Sequence, residues 1–372
     1  MSSHFPHAAF LPFASVTPTA TPAAIFVPRS PVWRRLREAA TYAALIACGL
    51  FTLAITLTIL FVLARESWDF FAHPHPDAQG NLEQVTVGGF FGDLSWNPLL
   101  GGKKHFGIWP LVLGTLKVTA IAMAFALPLG LITAVWLAEY ASKRARTILK
   151  PILELLAGIP TVVFGFFALT VITPLLAMDF GAIHPSLAFL THTDGAGHTQ
   201  PHNPLGLGVY NALSAGIAVG ILCLPIVTSM AEDAVRAVPK ALREGAYGLG
   251  ASKFETSVRV VVPAALSGII SAFLLAISRA IGETMVVALA AGSKPVEMLD
   301  PEGALAWRSI FSINDDVQAM TGYMVERFKG DAPHGTVEFA SSFAVAATLF
   351  IITLALTLAG NAIRKRFRQV YA

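Results

Sequence analysis

The chain has little charge, few cysteines and no nucleotide-binding motif. Only 13% of its 372 residues are charged, whereas soluble proteins usually reach about 25%. Hydrophobic residues make up 55%, and the mean hydropathy is +0.64. A soluble fold of this size needs a more charged exterior, so the composition excludes an ordinary globular enzyme and favours a membrane protein. The net charge of +3 gives no support for a nucleic-acid partner. The two cysteines lie in apolar runs, which excludes a disulfide framework.

Long apolar stretches take up most of the chain. Windows of about 18 or more largely apolar residues are long enough to cross a membrane as helices. Six such windows cover residues 39–64, 107–138, 151–178, 206–231, 263–292 and 337–363. The sequence therefore predicts an all-α polytopic membrane protein with six transmembrane helices. The first window is far longer than the apolar part of a signal peptide, so we expect it to remain as a helix.

Lysines and arginines are concentrated in alternate loops. Cationic short loops stay on the cytoplasmic side of a membrane, and this rule places both the N and the C terminus in the cytoplasm. Most of the 26 lysines and arginines then lie on the inner side. Lys117 and Arg279 fall inside or near apolar windows instead. We expect the long side chain of Lys117 to reach the outer boundary of the membrane.

The apolar windows also divide the chain into segments. Residues 1–38 are rich in Pro, Ala and Thr with a basic membrane-proximal end, and we expect a disordered cytoplasmic leader. Residues 39–106 hold the first transmembrane helix and an outer segment, 107–363 the membrane core, and 364–372 a basic cytoplasmic tail. The outer loops carry several histidines at irregular spacing, which favours a solvated loop but leaves a metal site open.

The most polar inner segment is the loop at residues 232–262. Pro239 can start a short helix there because its missing N–H would have no partner in a first turn, and a glycine can end the helix near residue 248. Ser252 then offers a cap for a second helix. On these features alone, a loop that only joins two spans and a helical segment with its own role both remain open.

The residue spacing in this loop resembles the EAA loop of ATP-binding-cassette (ABC) importer permeases. That motif has Glu-Ala-Ala, three residues, Gly, nine residues, and an aliphatic stretch ending in Pro. Glycine replaces the usual middle alanine and weakens the local helix by about 1 kcal/mol. The resemblance implies that the helix docks on a cytoplasmic ATPase subunit, with Glu244 contacting the ATPase and Gly250 permitting a turn. The motif matches at Glu244, Ala246, Gly250 and Pro263 and departs at Gly245.

Arg279 and Glu283 lie in the middle of the fifth window. A charged side chain at the centre of a membrane helix costs about 2.5 to 3.5 kcal/mol, so such residues usually face a bundle interior or an aqueous path. The i, i+4 spacing predicts that both lie on one face of the helix, although Arg before Glu is the weaker order for a local pair. A structural ion pair between helices and a cation that meets a transported anion both remain open. Small residues on nearly the same side favour tight packing against a second helix: Ala272, Ala276 and Ala280.

The stretch from Arg279 to Met285 follows the EAA-like loop and resembles the phosphate-specific importer permeases. Residues 154–165 are similar to the signature of their third core helix, residues 116–139 follow the same pattern, and Trp96-Asn97-Pro98 is similar to their outer segment. The Gly-Glu-Thr-Met ending and the outer segment favour the PstC-type subunit over the PstA type. The resemblance covers about residues 40–372 and implies the MetI-like fold of type I ABC importer permeases. It implies a translocation path with Arg279, Glu283, Thr284 and Glu154.

Glu154 has two interpretations at this stage. It is either a buried acid in the translocation path, or a negative charge placed favourably near the N-terminus of the third span. The sequence does not distinguish between the two.

The resemblance implies the permease subunit of an ATP-driven inorganic phosphate importer in a bacterial inner membrane, surrounded by lipid. The expected partners are a homologous PstA-type permease subunit, two cytoplasmic ATPase subunits and a periplasmic phosphate-binding protein. ATP would be used by the ATPase subunits, so we expect no enzyme activity and no cofactor on this chain. We expect the binding protein to carry the selectivity.

Other functions remain open. The same architecture could move sulfate or molybdate, because one Arg and one Glu do not encode the identity of an anion. A secondary anion transporter would need no ATPase, and the EAA spacing argues against it. A role in reporting external phosphate to a phosphate-sensing regulator would add to transport without replacing it.

Overall fold

The computed structural model describes residues 31–77, 80–98, 104–177, 192–193, 199–200, 207–299, 304–331 and 333–366. Most of the predicted leader and most of the histidine-rich loop lie outside these residues. Helix α1 begins at Pro31, so residues 31–38 of the predicted leader are helical. Contacts within the chain define two compact units, Met1–Leu60 and Phe61–Ala372. The described part of the first unit is the N-terminal part of α1, and all other described elements belong to the second.

The described elements are mainly helices with short antiparallel strand pairs. The helices are α1 (Pro31–Ala72), α2 (Val87–Gly92), α3 (Trp109–Val135), α4 (Lys143–Ala157), α5 (Thr161–Phe167), α6 (Thr173–Ala177), α7 (Ala212–Arg236), α8 (Lys240–Gly248), α9 (Lys253–Glu255), α10 (Val262–Ala264), α11 (Leu266–Ile281), α12 (Met285–Ala290), α13 (Trp307–Phe311), α14 (Met320–Glu326) and α15 (Val337–Arg366). π-Helical turns occupy Trp136–Tyr140, Ala168–Ile172, Thr256–Val261 and Arg327–Asp331. The strands are β1 (His75–Pro76), β2 (Leu82–Glu83), β3 (Trp96–Asn97), β4 (His105–Phe106), β5 (His192–Thr193) and β6 (Thr199–Gln200), paired β1 with β2, β3 with β4 and β5 with β6.

Within the described residues, four helices are long and apolar enough to cross a membrane, and two bent pairs raise the number to six if each pair is one span. This agrees with the six predicted windows and confirms the all-α membrane fold. The third and fifth spans are broken, with bends of 89° and 70°. Pro160 lies at the first bend, where it lacks an N–H and disfavours a helical residue before it. The second bend follows Pro263 by two residues.

The fifth predicted window, 263–292, is not one continuous helix. Helix α11 ends at Ile281 with Gly282 as its cap, and α12 starts only at Met285. The break consists of Gly282, Glu283 and Thr284, and it lies inside a window that is apolar on average, so the window's mean hydropathy does not reveal it.

Small residues allow the central helices of the second unit to pack closely. A Cβ atom added to Gly216 of α7 would lie 2.6 Å from the Ile121 side chain of α3, so a larger residue would push the two helices apart. On α11, Ala272, Ala276 and Ala280 are all buried, and the Cys223 thiol of α7 lies 3.8 Å from the Ala276 carbonyl oxygen. The predicted tight packing of this alanine face is therefore confirmed.

The outer segment before α3 packs as part of the second unit. Trp96 of β3 is paired with Phe106 of β4, and its ring meets the buried Tyr323 ring edge to face at 5.0 Å. Lys104 bonds to Glu338 at the start of α15 and lies 3.5 Å from the Asp77 carboxylate. An aromatic core and a buried charge cluster thus attach this segment to the last span.

Candidate functional site

A cavity of about 730 Å³ lies between α4, α7 and the end of α11. Three of the four predicted path residues line it: Glu154, Arg279 and Glu283. Most of the remaining wall is apolar, with two serines, and consists of Ala157, Pro225, Ile226, Ser229, Met230, Leu275, Ser278 and Gly282. The folded chain therefore brings together charges that are more than a hundred residues apart in the sequence.

Arg279 lies in the last turn of α11, and its side chain is exposed at the cavity. Among the described residues it has no ion pair and no hydrogen bond from its side chain. The interpretation of Arg279 as a structural ion-pair partner therefore has no support within the described part of the chain. A planar guanidinium with free N–H donors can bind an oxyanion through two parallel hydrogen bonds.

Glu283 follows the break at Gly282 and is buried, with 6% of its surface exposed. The prediction that it shares one helical face with Arg279 is wrong, because the helix ends between the two residues. Both nevertheless line the cavity. The Thr321 hydroxyl donates a hydrogen bond of 2.9 Å to the Glu283 carbonyl oxygen and so fixes the backbone at the break.

The other two predicted path residues differ from expectation. Thr284 is half-buried, and its hydroxyl donates to the Gly282 carbonyl oxygen at 3.2 Å, but it is not among the residues lining the cavity. Glu154 lines the cavity, yet it is exposed and lies in the last turn of α4. The interpretation of Glu154 as a charge near the N-terminus of its helix is wrong, because α4 begins at Lys143 and places this residue near the C-terminal end, whereas its place in a translocation path stays a prediction.

The predicted helix in the inner loop is present as α8, which we call the coupling helix (Lys240–Gly248). Gly250 follows with φ +84°, a left-handed conformation that favours glycine. Ser252 and Glu255 then form a reciprocal capping box at the start of α9, as the predicted cap requires.

The motif positions on the coupling helix face outward. Glu244 and Gly245 are exposed, Ala246 is half-buried, and Pro263 is exposed in α10. Large apolar side chains near them are also exposed, although the surrounding segment is polar: Tyr247, Leu249 and Phe254. Exposed apolar groups beside a charged residue are typical of a protein interaction surface.

Sequence reasoning missed the charged residues that attach this loop to the spans. Arg243 of the coupling helix bonds to Glu139 at 2.9 and 3.1 Å. On the other side of the inner surface, the fully buried Glu232 of α7 lies 3.2 Å from Arg146 and 3.2 Å from Lys150 of α4. Their only signal in the sequence is charge near the inner ends of spans, a pattern that solvated residues share.

Lys117 is bonded to the segment between the fifth and sixth predicted windows. Its ammonium group donates a 2.6 Å hydrogen bond to the Ser309 carbonyl oxygen, so it is held by the protein. It lines a polar recess of about 440 Å³ together with Lys294, Arg308 and Asp315. The Lys117 ammonium thus reaches a polar part of the fold, and its position at the outer boundary of the membrane stays a prediction.

Some spans of the described fold are bent and others continuous, and an exposed short helix lies between two of them. The chain is similar in structure to a bacterial alginate ABC transporter solved with an alginate-bound periplasmic protein, with a TM-score of 0.56 over 92% of this chain and 100% of that chain at 14% identity. The family model described as "Binding-protein-dependent transport system inner membrane component" matches residues 126–369. The chain belongs to this family and is an ABC transporter permease subunit.

Relatives in sequence include several permease proteins of phosphate transport systems. The chain is 31% identical over 284 residues to the probable ABC transporter permease protein YqgH of Bacillus subtilis, covering 76% of this chain and 80% of the relative. It is 32% identical to a phosphate transport system permease protein PstC of Mesorhizobium japonicum, covering 65% and 70%. It is 36% identical to PstC of Xylella fastidiosa, covering 55% and 60%. The predicted resemblance to PstC-type permeases is confirmed.

Proposed function

We propose that this chain is the membrane-spanning subunit of an ATP-driven inorganic phosphate importer in a bacterial inner membrane. The observation that carries the proposal is the Arg279 guanidinium, which lines the 730 Å³ cavity without an ion-pair partner among the described residues. The similarity to PstC proteins supports phosphate as the anion. With both termini in the cytoplasm, the chain forms half of the translocation path and a PstA-type permease forms the rest.

The chemistry of the cavity suits an anion that passes through without being held. Phosphate carries roughly one to two negative charges near neutral pH, and a guanidinium offers it a charged, forked contact. Glu154 and Glu283 line the same cavity, so the cation attracts the anion while two carboxylates limit the affinity. Weak binding favours release, and selectivity then belongs to a periplasmic phosphate-binding protein that delivers the substrate.

ATP hydrolysis belongs to two cytoplasmic ATPase subunits in this proposal. Their docking surface is the exposed side of the coupling helix, where Glu244 lies close in sequence to the exposed Tyr247 and Leu249. Leu249 is 91% exposed, and a side chain so apolar gains free energy when a partner covers it. Closure of the ATPase subunits would then move the coupling helix.

The test is uptake of radiolabelled phosphate into vesicles that contain this chain, the partner permease, the ATPase and the binding protein. We expect uptake that requires ATP and continues in excess unlabelled sulfate or molybdate. Vesicles without the binding protein serve as the control and should remain near background. Uptake without ATP would contradict the ATPase coupling, and equal inhibition by sulfate would make the substrate a broader class of oxyanion.

A further inference from the structure

The Arg243 side chain joins the coupling helix to the inner ends of two spans. Its Nε and Nη2 atoms donate to Oε1 of Glu139 at 3.1 and 2.9 Å, at the end of the π-helical turn that continues α3. Its Nη1 donates to the Val238 carbonyl oxygen at 2.6 Å and its Nη2 to the Val235 carbonyl oxygen at 2.8 Å, at the end of α7. One guanidinium, 16% exposed, therefore makes four hydrogen bonds to two neighbouring elements.

Apart from the bonds of Arg243, packing against the π-helical turn Thr256–Val261 holds the coupling helix to the rest of the fold. None of its residues is fully buried, and Leu242 packs as a partly buried side chain against the apolar cluster around Val235 and Val261. Lys240, on the same helix, is exposed and has no ion pair or side-chain hydrogen bond among the described residues. Arg243 is thus the polar anchor of a helix whose other face is open.

The elements that Arg243 holds lead directly to the cavity. Ser229 and Met230 line the cavity on α7, five to six residues before Val235, a distance of about 8 to 9 Å along a helix. The end of α3 is also held from the other side, because Arg146 donates to the Leu137 and Ala138 carbonyl oxygens at 2.5 and 3.0 Å. The π-helical turn that carries Glu139 therefore lies between two arginines.

We propose that Arg243 is the positioning residue that transmits movement of the coupling helix to α7 and α3, and through α7 to the cavity wall. This inference rests on the proposed function, because ATPase subunits would drive the movement of the coupling helix. The forked guanidinium is essential, because it reaches a carboxylate and two carbonyl groups at once, whereas an ammonium is a point charge without this planar geometry. Without the forked guanidinium, the ATPase should still bind, but its movement should no longer change the cavity wall.

The first experiment compares ATP hydrolysed with phosphate imported by the complete transporter in vesicles. Arg243→Gln should retain the ATPase during purification and raise the ATP hydrolysed per phosphate roughly tenfold. Arg144→Gln is the control and should keep the wild-type ratio, because Arg144 is exposed at the start of α4, outside the coupling helix, and has no ion pair among the described residues. Glu139→Gln should raise the ratio less, and the double variant should add little to Arg243→Gln, since the two side chains act as a unit.

The second experiment follows the cavity wall without reference to the substrate. With Cys48 and Cys223 replaced by serine, Ser229→Cys provides a single thiol at the cavity for maleimide labelling. Nucleotide should change its labelling rate in the parent and in Arg144→Gln, and should no longer change it in Arg243→Gln. If the wild-type complex imports no phosphate but this labelling still depends on nucleotide and on Arg243, the substrate assignment fails and the role of Arg243 stands.

Two results would overturn the role of Arg243. A wild-type ratio of ATP to phosphate in Arg243→Gln, with nucleotide-dependent labelling retained, would show that the motion takes another route. Loss of the ATPase from purified Arg243→Gln would show that the residue supports docking and not transmission. If Arg243→Gln does not accumulate in the membrane, Glu139→Gln decides in its place. Its amide oxygen keeps an acceptor for the guanidinium, which favours folding, but the charge of the carboxylate is lost. An unchanged ratio of ATP to phosphate in Glu139→Gln then contradicts the proposal.

Discussion

The Arg279 guanidinium and the Glu283 carboxylate line one cavity but do not form an ion pair. The cause is the helix end at Gly282, which takes Glu283 out of the helical register of Arg279. A continuous helix would have placed the two side chains four residues apart on one face, within reach of each other. The break therefore leaves a cation whose charge is available to a transported anion.

Replacement of Arg279 should reduce phosphate uptake strongly. Loss of a charged hydrogen bond costs about 1.5 to 3 kcal/mol, so Arg279→Ala should lower the uptake rate roughly 10- to 150-fold. The uptake rate of Arg279→Lys should lie between those of the wild type and Arg279→Ala, because lysine keeps the positive charge but loses the forked pair of N–H donors. Initial rates of radiolabelled phosphate uptake at equal protein levels measure the effect.

Arg144→Ala is the control for this prediction. Arg144 is exposed at the start of α4, does not line the cavity, and has no ion pair among the described residues. Its uptake should remain near that of the wild type. An unchanged rate in Arg279→Ala would rule out a role for this guanidinium in the path.

Gly250→Ala should impair the segment that follows the coupling helix. Gly250 has φ +84°, and an added Cβ would meet no atom within 4 Å, so the penalty comes from the backbone alone. A non-glycine residue in this conformation costs roughly 1 to 2 kcal/mol. We expect less ATPase to co-purify with the permease and correspondingly slower uptake.

Gly245→Ala provides a comparison of opposite sign. Gly245 lies inside the coupling helix, and an added Cβ there also has open space. Alanine should stabilise the helix by about 1 kcal/mol, and ATPase recovery should be retained or increased. Equal losses in both variants would contradict the backbone explanation for Gly250.

Lys104→Met should destabilise the outer segment. Lys104 contacts Glu338 and Asp77, and all three side chains are at least nine-tenths buried. Removing one member of a buried charged group costs about 3 to 5 kcal/mol, because the remaining carboxylates lose their compensating charge. Thermal unfolding of the purified protein should start at a lower temperature, whereas replacement of the exposed Lys329 by Met should have little effect. Equal unfolding temperatures for the two variants would contradict this role of Lys104.

The cluster of Lys104, Glu338 and Asp77 also predicts how the stability of the protein depends on pH. Burial lowers the pKa of Lys104, but the hydrogen bond and charge of Glu338, together with the charge of Asp77, outweigh it and raise the pKa above the ordinary 10.5. A raised pKa means that the contribution to stability is complete below pH 10.5 and is lost as the pH rises through the folded value. Unfolding curves of wild type and Lys104→Met should therefore keep a constant difference up to about pH 10 and converge only above it. Convergence near neutral pH would show that the ammonium does not stabilise the cluster.

The orientation in the membrane is testable with fused reporters. The distribution of Lys and Arg predicts a cytoplasmic C terminus, so alkaline phosphatase fused after Ala372 should be inactive. The same enzyme fused after Gly330, between α14 and α15, should be active because that segment is predicted to lie outside. The reverse pattern would invert the topology and place the coupling helix on the wrong side for a cytoplasmic ATPase.

Hydropathy and local signals predicted much of this fold. Six windows correspond to four continuous and two bent spans, because the length of an apolar run depends only on neighbours along the chain. The short inner helix, its glycine ending and the Ser252 cap were also predictable, since proline, glycine and serine act within one helical turn. The helix end at Gly282 was not predicted, because the window 263–292 is apolar on average and a single glycine inside it does not by itself end a helix.

The sequence by itself determined that this protein belongs in a membrane, which windows can cross it, where the short helix between the fourth and fifth windows falls, and which family the chain belongs to. These properties follow from composition, charge distribution and motif spacing, each of which is local in the chain. Only the tertiary structure decided that Glu154 joins Arg279 and Glu283 at one cavity, and that Arg243 is bonded to Glu139 across 104 positions. Contacts of this kind depend on how helices pack and where they break, and no periodicity along the sequence records them.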